Sequence, residues 1–412
     1  MLSSGTGNTQ NARAANMEHP LKIALVVPDD RDEFSRHAES APQFGPAPTA
    51  LLAGFATLPE CEIHVVCCVK RPVAAPEKIG PNIFYHTEIV PAWGWLRGGY
   101  LGCIRSVRRQ LQKIQPDIVH GQGTERYCAL AAGWSGFPNV LTIHGNMRAI
   151  AAIYRHHPGR GYYWLAARLE SLALRRAAGV FCNSAYTENL VAPCARKTWR
   201  VANALRPPFF ETPLPKTPRA PILLNVGNVE PRKQTVELLA LAGNLWRRGL
   251  KFELRFAGNR ESRTDYGAAF AHELAAAEKA GYARHLGQLS ADQLIVAMDT
   301  ATGLIHVPTE EAFGLVVAEA LARNLKFFGP ATGGVVDIAT GVDGAELFAP
   351  PDWTGLETAI ARWLAADCPR PVSAANTMLE RYHPRVIARR HLEIYRAVLG
   401  TSRQQQLIQT GP

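Results

Sequence analysis

The sequence predicts an α/β protein built from two parallel-sheet units of similar size. Three observations predict it. From Leu21 onward, short apolar runs of strand length alternate with helical stretches. Such alternation builds right-handed strand–helix–strand crossovers and a largely parallel sheet. The segment Arg206–Pro221 holds six prolines and reads as a linker, after which the alternation restarts. The 412 residues are long for one domain and comfortable for two.

The first strand is LKIALVV (21–27), an apolar run that ends in Pro-Asp-Asp, as a buried parallel strand entering a loop does. A loop rich in Pro and Gly (42–48) leads into an apolar helical stretch, TALLAGFATL. EIHVVCCV (62–69) and NIFYHTEIVP (82–91) are the next strands. A basic helix covers 98–115, with Arg105, Arg108, Arg109 and Lys113. PDIVHGQG (116–123) and NVLTIHGN (139–146) read as strands that each end in a His-Gly step. A helix over 161–177 leads to AGVFCNS (178–184). Beyond the linker the strands are PILLNVG (221–227), FELRFAG (252–258), ARHLGQ (283–288), TGLIHVP (302–308) and LKFFGP (325–330). HPRVIARRHLEIYRAVLG (383–400) is a closing helix, with Pro384 in its first turn and Gly400 at its end. Its Ile387, His391, Ile394 and Val398 share a face. The expected organisation is a flexible leader (1–16, with Met17 an alternative start), a first domain (17–206), a linker (207–220), a second domain (221–382), the closing helix (383–400) and a flexible tail (401–412).

Composition excludes collagen-like, coiled-coil and wholly disordered classes: 47% of residues are hydrophobic and 19% charged. No apolar run reaches the length of a membrane span. The eight cysteines form no CxxC pair and sit mostly in apolar stretches, as reduced buried thiols do. The net charge of +10 admits three partner classes: nucleic acid, an anionic membrane surface, or phosphorylated substrates.

In an open parallel sheet, ligands bind beyond the carboxyl ends of the strands. His120 and His144 stand there, each followed by a Gly that lets a ligand approach the backbone; a hydrogen-bonded structural role is the plainer reading of His120, whereas His144, polar between an apolar strand and a Gly turn, points to a ligand. Gly227 ends a strand, and Arg232–Lys233 precede the helical stretch TVELLALAGNL. A cationic pair beside a helix N-terminus suits a diphosphate, although a solvated basic loop would look the same. In HVPTEEAFGLVVAEALA, Glu311 falls in a loop and Glu319 inside an apolar helix. An ionised Glu among Val316, Val317 and Leu321 is costly without partners, and ligand hydroxyls would serve. Gly333 and Gly334 follow another strand and could offer backbone N–H groups to phosphate. No GxGxxG follows a strand, and neither a Walker loop nor a Ser nucleophile elbow occurs. Asp30-Arg31-Asp32 spells a DxD but reads as an acidic surface turn, and His156-His157 lacks further ligands, so no metal or other cofactor is expected.

Together PDIVHGQG, LTIHGN, FCNSAYTENL, VANALRPPFF, NVGNVEPRKQ and EEAFGLVVAEALA resemble the retaining glycosyltransferases of family 4, over Leu21 to Gly400. The resemblance implies the GT-B fold: two Rossmann-like domains whose parallel sheets face a central cleft. It implies a nucleotide-diphosphate sugar as donor, UDP- or GDP-linked, held mostly by the second domain. Arg232 and Lys233 correspond to its pyrophosphate-binding cations, Glu319 to the ribose carboxylate, and Glu311 to the carboxylate near the reaction centre. Ala312, Phe313, Gly314 and Leu315 correspond to sugar and phosphate contacts, and His144 to the first-domain His that orients the sugar. Gly45 lies in the equivalent of the Gly-rich loop after the first strand, and the closing helix is expected to cross back onto the first domain. Departures exist. Asn228 stands at the phosphate-loop position where relatives carry Arg, Gln234 where Gly or Asn is usual, Thr309 where Ser is usual, and Pro46 and Pro48 stiffen the first loop.

The expected activity is metal-independent, retaining transfer of a sugar to a hydroxyl acceptor, a glycan or lipid-linked intermediate, in bacterial glycan, polysaccharide or glycolipid assembly. The alternatives are an inactive sugar- or lipid-binding protein of the same fold, and a nucleic-acid binder that charge alone suggests and that lacks any aromatic–basic RNA signature. Residues 1–206 carry 23 Lys+Arg against 14 Asp+Glu, and residues 207–412 carry 22 against 21. The charge excess therefore sits on the first domain, which suits a cytoplasmic protein peripheral on an anionic membrane.

Overall fold

A computed structural model describes residues 19–156, 158–215, 220–261 and 264–409. The expected leader and the middle of the proline-rich linker lie outside the described residues. The chain forms two sheets. The first contains β1 (Leu21–Val26), β2 (Cys61–Val69), β3 (Lys78–Gly80), β4 (Ile83–Ile89), β5 (Ile118–Gln122), β6 (Asn139–Ile143), β7 (Val180–Cys182) and β8 (Thr198–Arg200), in the order β3-β4-β2-β1-β5-β6-β7-β8. The second contains β9 (Ile222–Val226), β10 (Glu253–Ala257), β11 (Ala283–Gly287), β12 (Gly303–Ile305), β13 (Lys326–Pro330) and β14 (Ala345–Phe348), in the order β11-β10-β9-β12-β13-β14. Every pairing is parallel except the short β3–β4 edge. Both strand orders reverse direction beside the first strand of the sheet, which is where an open α/β sheet leaves its ligand crevice.

The central strands are buried on both faces, which is why they read as continuous apolar runs. Three edge strands, β3, β8 and β14, and the helices Val335–Ala339, Trp353–Ala365 and Ala374–Tyr382 add to the elements the sequence predicts. KIG, TWR and AELF are too short to show an alternation of their own, and they exist because a neighbouring strand offers free N–H and C=O groups.

The closing helix runs Pro384–Gln409, past the end expected at Gly400. A helical Gly lowers stability by about 1 kcal/mol but does not stop a helix that is otherwise anchored. The anchor lies in the first domain: Ile387, Ala388, Leu392 and Tyr395 pack into the cluster of Leu25, Phe55 and Phe181. Gly54 makes the crossing close, since a Cβ there would lie 2.2 Å from the Pro384 carbonyl oxygen. The linker is pinned as well. Its residues Pro208–Glu211 form a short helix with Phe209 buried, and Arg323 donates to the carbonyls of Phe209 and Thr212.

Candidate functional site

The carboxyl ends of both sheets meet at a cleft with a cavity of 340 Å³. Asp30, Gly45, Glu125, His144 and Asn183 line its first-domain wall, and Glu311–Leu315 its second-domain wall. The first four of those second-domain residues lie on the loop that leaves β12. Gly314 ends the loop at φ +97°, a conformation open to Gly, and starts the helix Leu315–Ala322. The first N–H bonded at the start of that helix is that of Val317, so those of Leu315 and Val316 have no partner among the described residues and stand at its positive end.

Glu311 is the electrostatic centre of this wall. Its Oε2 lies 2.5 Å from Lys233 Nζ and 3.0 Å from His306 Nε2. Burial alone would raise its carboxyl, but the His306 hydrogen bond and the Lys233 charge hold it well below the carboxylate range. The group is therefore ionised at any physiological pH. Burial, with Lys233 beside it, lowers His306, so the neutral imidazole donates its Nε2–H. Glu311 Oε1 has no partner among the described residues.

Arg232 and Lys233 differ in what they touch. Arg232 donates to the Glu310 carbonyl at 2.9 Å and to Glu230 at 2.8 Å, which braces the acidic loop. Of these two cations, Lys233 is the one that reaches the Glu311 carboxylate. Gly227 and Asn228 form a turn held against the strand beside it: Gly227 donates to Ala257, and Asn228 Oδ1 accepts the Asn259 N–H at 3.2 Å. Glu319 is 4% exposed and meets Arg206 at 2.9 Å. Burial raises its carboxyl, and Arg206 opposes that rise.

Several expected residues take other places. His120 lies inside β5, not at its end, and is fully buried beneath the closing helix, with Nδ1 2.5 Å from the Tyr395 hydroxyl and Nε2 2.7 Å from Thr142 Oγ1. It supports the cleft at one remove, because Gln122 lies beside its ring and also meets His144 Nε2 at 3.2 Å. Gly333 and Gly334 pack against the acidic loop: a Cβ on Gly333 would stand 1.9 Å from the Glu311 carbonyl oxygen, and the Gly334 N–H is bonded to that same oxygen. Their glycine identity serves backbone contact. Phe313 is 3% exposed and edge-on to Tyr382, so its ring is mainly core. Gly45 caps the helix Pro46–Phe55, where Pro46 and Pro48 remove two donors and leave Ala47 the free N–H of that first turn. The Asp-Arg-Asp turn is not a surface feature. Arg31 is fully buried on Asp29, whereas Asp30 faces the cleft.

Sequence reading missed His306, Arg206, Asn183 and Glu125. His306 had a signal, a polar residue directly after an apolar strand. Asn183 and Glu125 had none beyond lying after strands. A further group bridges the domains: Ser184 Oγ donates to the Ala312 carbonyl at 2.6 Å, and the Ala185 N–H to Asp337 at 2.5 Å. Among the described residues no group of His, Cys, Asp and Glu is arranged to hold a metal ion.

Residues 51–202 match the family described as Glycosyltransferase Family 4, and residues 209–377 match Glycosyl transferases group 1. No curated protein sequence matches the chain. Solved structures do. A sucrose-phosphate synthase from Thermosynechococcus elongatus superposes with a TM-score of 0.68 at 18% identity, covering 92% of this chain and 100% of its own. AviGT4, a glycosyltransferase involved in avilamycin A biosynthesis, gives 0.63 at 18%, covering 93% and 99%. Anabaena HepE in complex with UDP-glucose gives 0.64 at 14%, covering 92% and 100%. At such identities the likeness is one of fold, the two-sheet GT-B architecture.

Proposed function

We infer that this chain, which belongs with the family 4 type of GT-B glycosyltransferases, transfers a sugar with retention from a UDP- or GDP-sugar to a hydroxyl of a glycan or lipid-linked acceptor. The observation that carries the reading is the Lys233–Glu311–His306 contact on the second-domain wall. In the proposed reaction the bond from the anomeric carbon to the diphosphate breaks and one to the acceptor oxygen forms on the same face. Negative charge grows on the leaving phosphate. Lys233 and the free N–H groups of Leu315 and Val316 are the groups positioned to take it, a preorganised electrostatic effect. The acceptor proton passes to the leaving phosphate, so no protein base is needed. Glu311, ionised, stabilises positive charge on the sugar and holds Lys233 in place. Neutral His144 orients the sugar by hydrogen bonding; burial lowers its imidazole, so it carries no charge that would oppose an oxocarbenium-like centre. Glu319 accepts the ribose hydroxyls from its Arg206-paired position. Lys233 and these N–H groups carry the load a divalent metal carries elsewhere, and the reading includes none.

Neighbours support the donor class: HepE is described with UDP and glucose. The proposed setting is bacterial glycan, polysaccharide or glycolipid assembly on the inner face of the plasma membrane. No helix among the described residues is long and apolar enough to cross a membrane. Support for a peripheral mode comes from Trp93 and Trp164, 67% and 57% exposed on the basic first domain, with the Arg168 guanidinium 4.9 Å over the Trp164 ring. Binding to anionic vesicles that weakens with salt supports this mode, and no binding refutes it. For the activity itself, a screen of UDP- and GDP-sugars for hydrolysis is the test. Turnover of one donor, lost by at least about 1000-fold in Glu311→Gln with an unchanged circular dichroism spectrum, is expected. Full activity in that variant would overturn the role of Glu311.

A further inference from the structure

Gln122 sits between two histidines. It ends β5, is 4% exposed, and lines the cleft cavity together with His144. Its amide nitrogen lies 3.3 Å from His120 Nε2 and 3.4 Å from His120 Nδ1. An atom at that distance from both ring nitrogens cannot lie in the ring plane, where Cε1 stands in the way. It lies over the ring face. The edge positions of His120 are taken already, by the Tyr395 hydroxyl at Nδ1 and by Thr142 Oγ1 at Nε2.

An aromatic face is electron-rich, so it welcomes an N–H and repels a carbonyl oxygen. That selects one orientation of the Gln122 amide. The NH2 group stands over His120, and Oε1 turns to His144, 3.2 Å from its Nε2. A carbonyl oxygen only accepts. His144 Nε2 must therefore carry the hydrogen, and in a neutral ring Nδ1 then keeps the lone pair. The ring is neutral because burial lowers it, with the Glu125 charge opposing. Glu125 itself accepts the Gly145 N–H at 3.0 Å. Burial also holds His120 and His391, the histidines of β5 and the closing helix, in the neutral form. Asp30 and Glu311 are the other titratable groups that line the cavity.

The two edges of the His144 ring thus differ. Nε2 faces Gln122, and Cδ2 lies 3.6 Å from where a Cβ on Gly123 would stand. Nδ1 is on the other edge of a side chain that lines the cavity, and it has no partner among the described residues. The opposite tautomer would set the Nε2 lone pair against the Gln122 oxygen, two acceptors facing each other.

We propose that Gln122 is a positioning residue for the transfer: its amide, oriented by the His120 ring, holds His144 in the Nε2–H tautomer and so presents Nδ1 to the cleft as an acceptor for one hydroxyl of the donor sugar. The inference rests on reading the cleft as a glycosyltransferase site and supplies what fixes His144 there. Through His120 and Tyr395, the same chain of contacts ties that sugar contact to the closing helix.

The test is long-range proton–nitrogen NMR of the histidine rings in the full chain, with the His144 signals assigned by their loss in His144→Gln. The wild type should show His144 in the Nε2–H form, a result read without any ligand. Gln122→Met fills the same space without the carbonyl. It should give a mixture of tautomers and lower kcat for donor turnover at least about tenfold, with UDP or GDP affinity kept within about twofold. A merely structural role would move nucleotide affinity together with kcat. Gln122→Glu keeps an oxygen in place and should retain the tautomer. Its added charge beside Nε2–H should raise the pH at which His144 titrates by at least about one unit. The Nδ1–H tautomer in the wild type, an unchanged tautomer or an unchanged kcat in Gln122→Met, or an unmoved titration in Gln122→Glu overturns the proposal. Failure of UDP and GDP to bind, with the His144 tautomer still following Gln122, would instead remove the donor reading and leave the tautomer assignment standing. Folding of each variant is checked by circular dichroism.

Discussion

Lys233 Nζ and Glu311 Oε2 lie 2.5 Å apart, although 78 residues separate them in the chain. The turn after β9 brings one, the loop after β12 brings the other, and β9 and β12 are parallel neighbours. Adjacent strands in one sheet thus deliver a cation and an anion to one point at their carboxyl ends.

The pair makes an acid-range prediction. The folded state holds the Glu311 carboxyl below its ordinary value of 4.5. It therefore contributes stability that is present above that value and lost as pH falls through the depressed folded value. Between pH 7 and pH 3 the wild type should lose more thermal stability than Glu311→Gln does. Parallel loss in both would contradict the pairing.

Asp30 has the opposite sign. Its carboxyl is raised to about 6, so the ionised form is the costly one and stability falls as pH rises from about 4 to about 6. After a discount for partial exposure, Asp30→Asn should stabilise the protein by about 1 kcal/mol at pH 7.5. The gain should vanish near pH 4, where the wild type is protonated. Thermal melts at the two pH values measure it, and an equal gain at both would contradict it.

Arg206 and Glu319 form a buried pair that the sequence does not announce. Arg206→Ala should destabilise by roughly 3 kcal/mol, because it leaves Glu319 charged and unpartnered. Adding Glu319→Gln to that variant should recover at least about 1 kcal/mol. A double variant no more stable than the single one would show that the two groups are not coupled.

Gly333 makes a steric prediction. It has φ +55°, and a Cβ there would stand 1.9 Å from the Glu311 carbonyl oxygen. Gly333→Ala must displace the acidic loop. It should lower donor turnover by at least about tenfold. Wild-type turnover in that variant would mean the loop position is irrelevant.

Much of the fold was legible in the sequence because buried parallel strands are apolar throughout, as LKIALVV and PILLNVG are. The crossing helix was legible from Ile387, Ile394 and Val398 on one face. The short strands β3, β8 and β14 were not, since their pairing is decided by a neighbour. In the site, Glu311, Glu319 and Lys233 could be found because a charge next to an apolar run needs a partner. What those partners are could not be read. Arg206 comes from 113 residues away, and only the fold brings it to Glu319, whereas His306 stands five residues before Glu311 and meets it through the turn of the loop between them. Gly333 and Gly334 stand out in the sequence as candidate phosphate donors, but in the structure they meet the backbone of Glu311–Phe313, a contact which no local pattern encodes. His120 looked like a strand-end ligand, and the closing helix covers it with Tyr395.

The central claim is that Lys233, held by Glu311, binds the diphosphate of a nucleotide sugar. Calorimetric titration of UDP and GDP into the wild type and into Lys233→Ala tests it most directly. One of the two nucleotides should bind the wild type with micromolar affinity and the variant at least about 30-fold more weakly, as loss of a charge-assisted contact of about 2 kcal/mol requires. Equal affinity in the two proteins, or no binding of either nucleotide to the wild type, would contradict it.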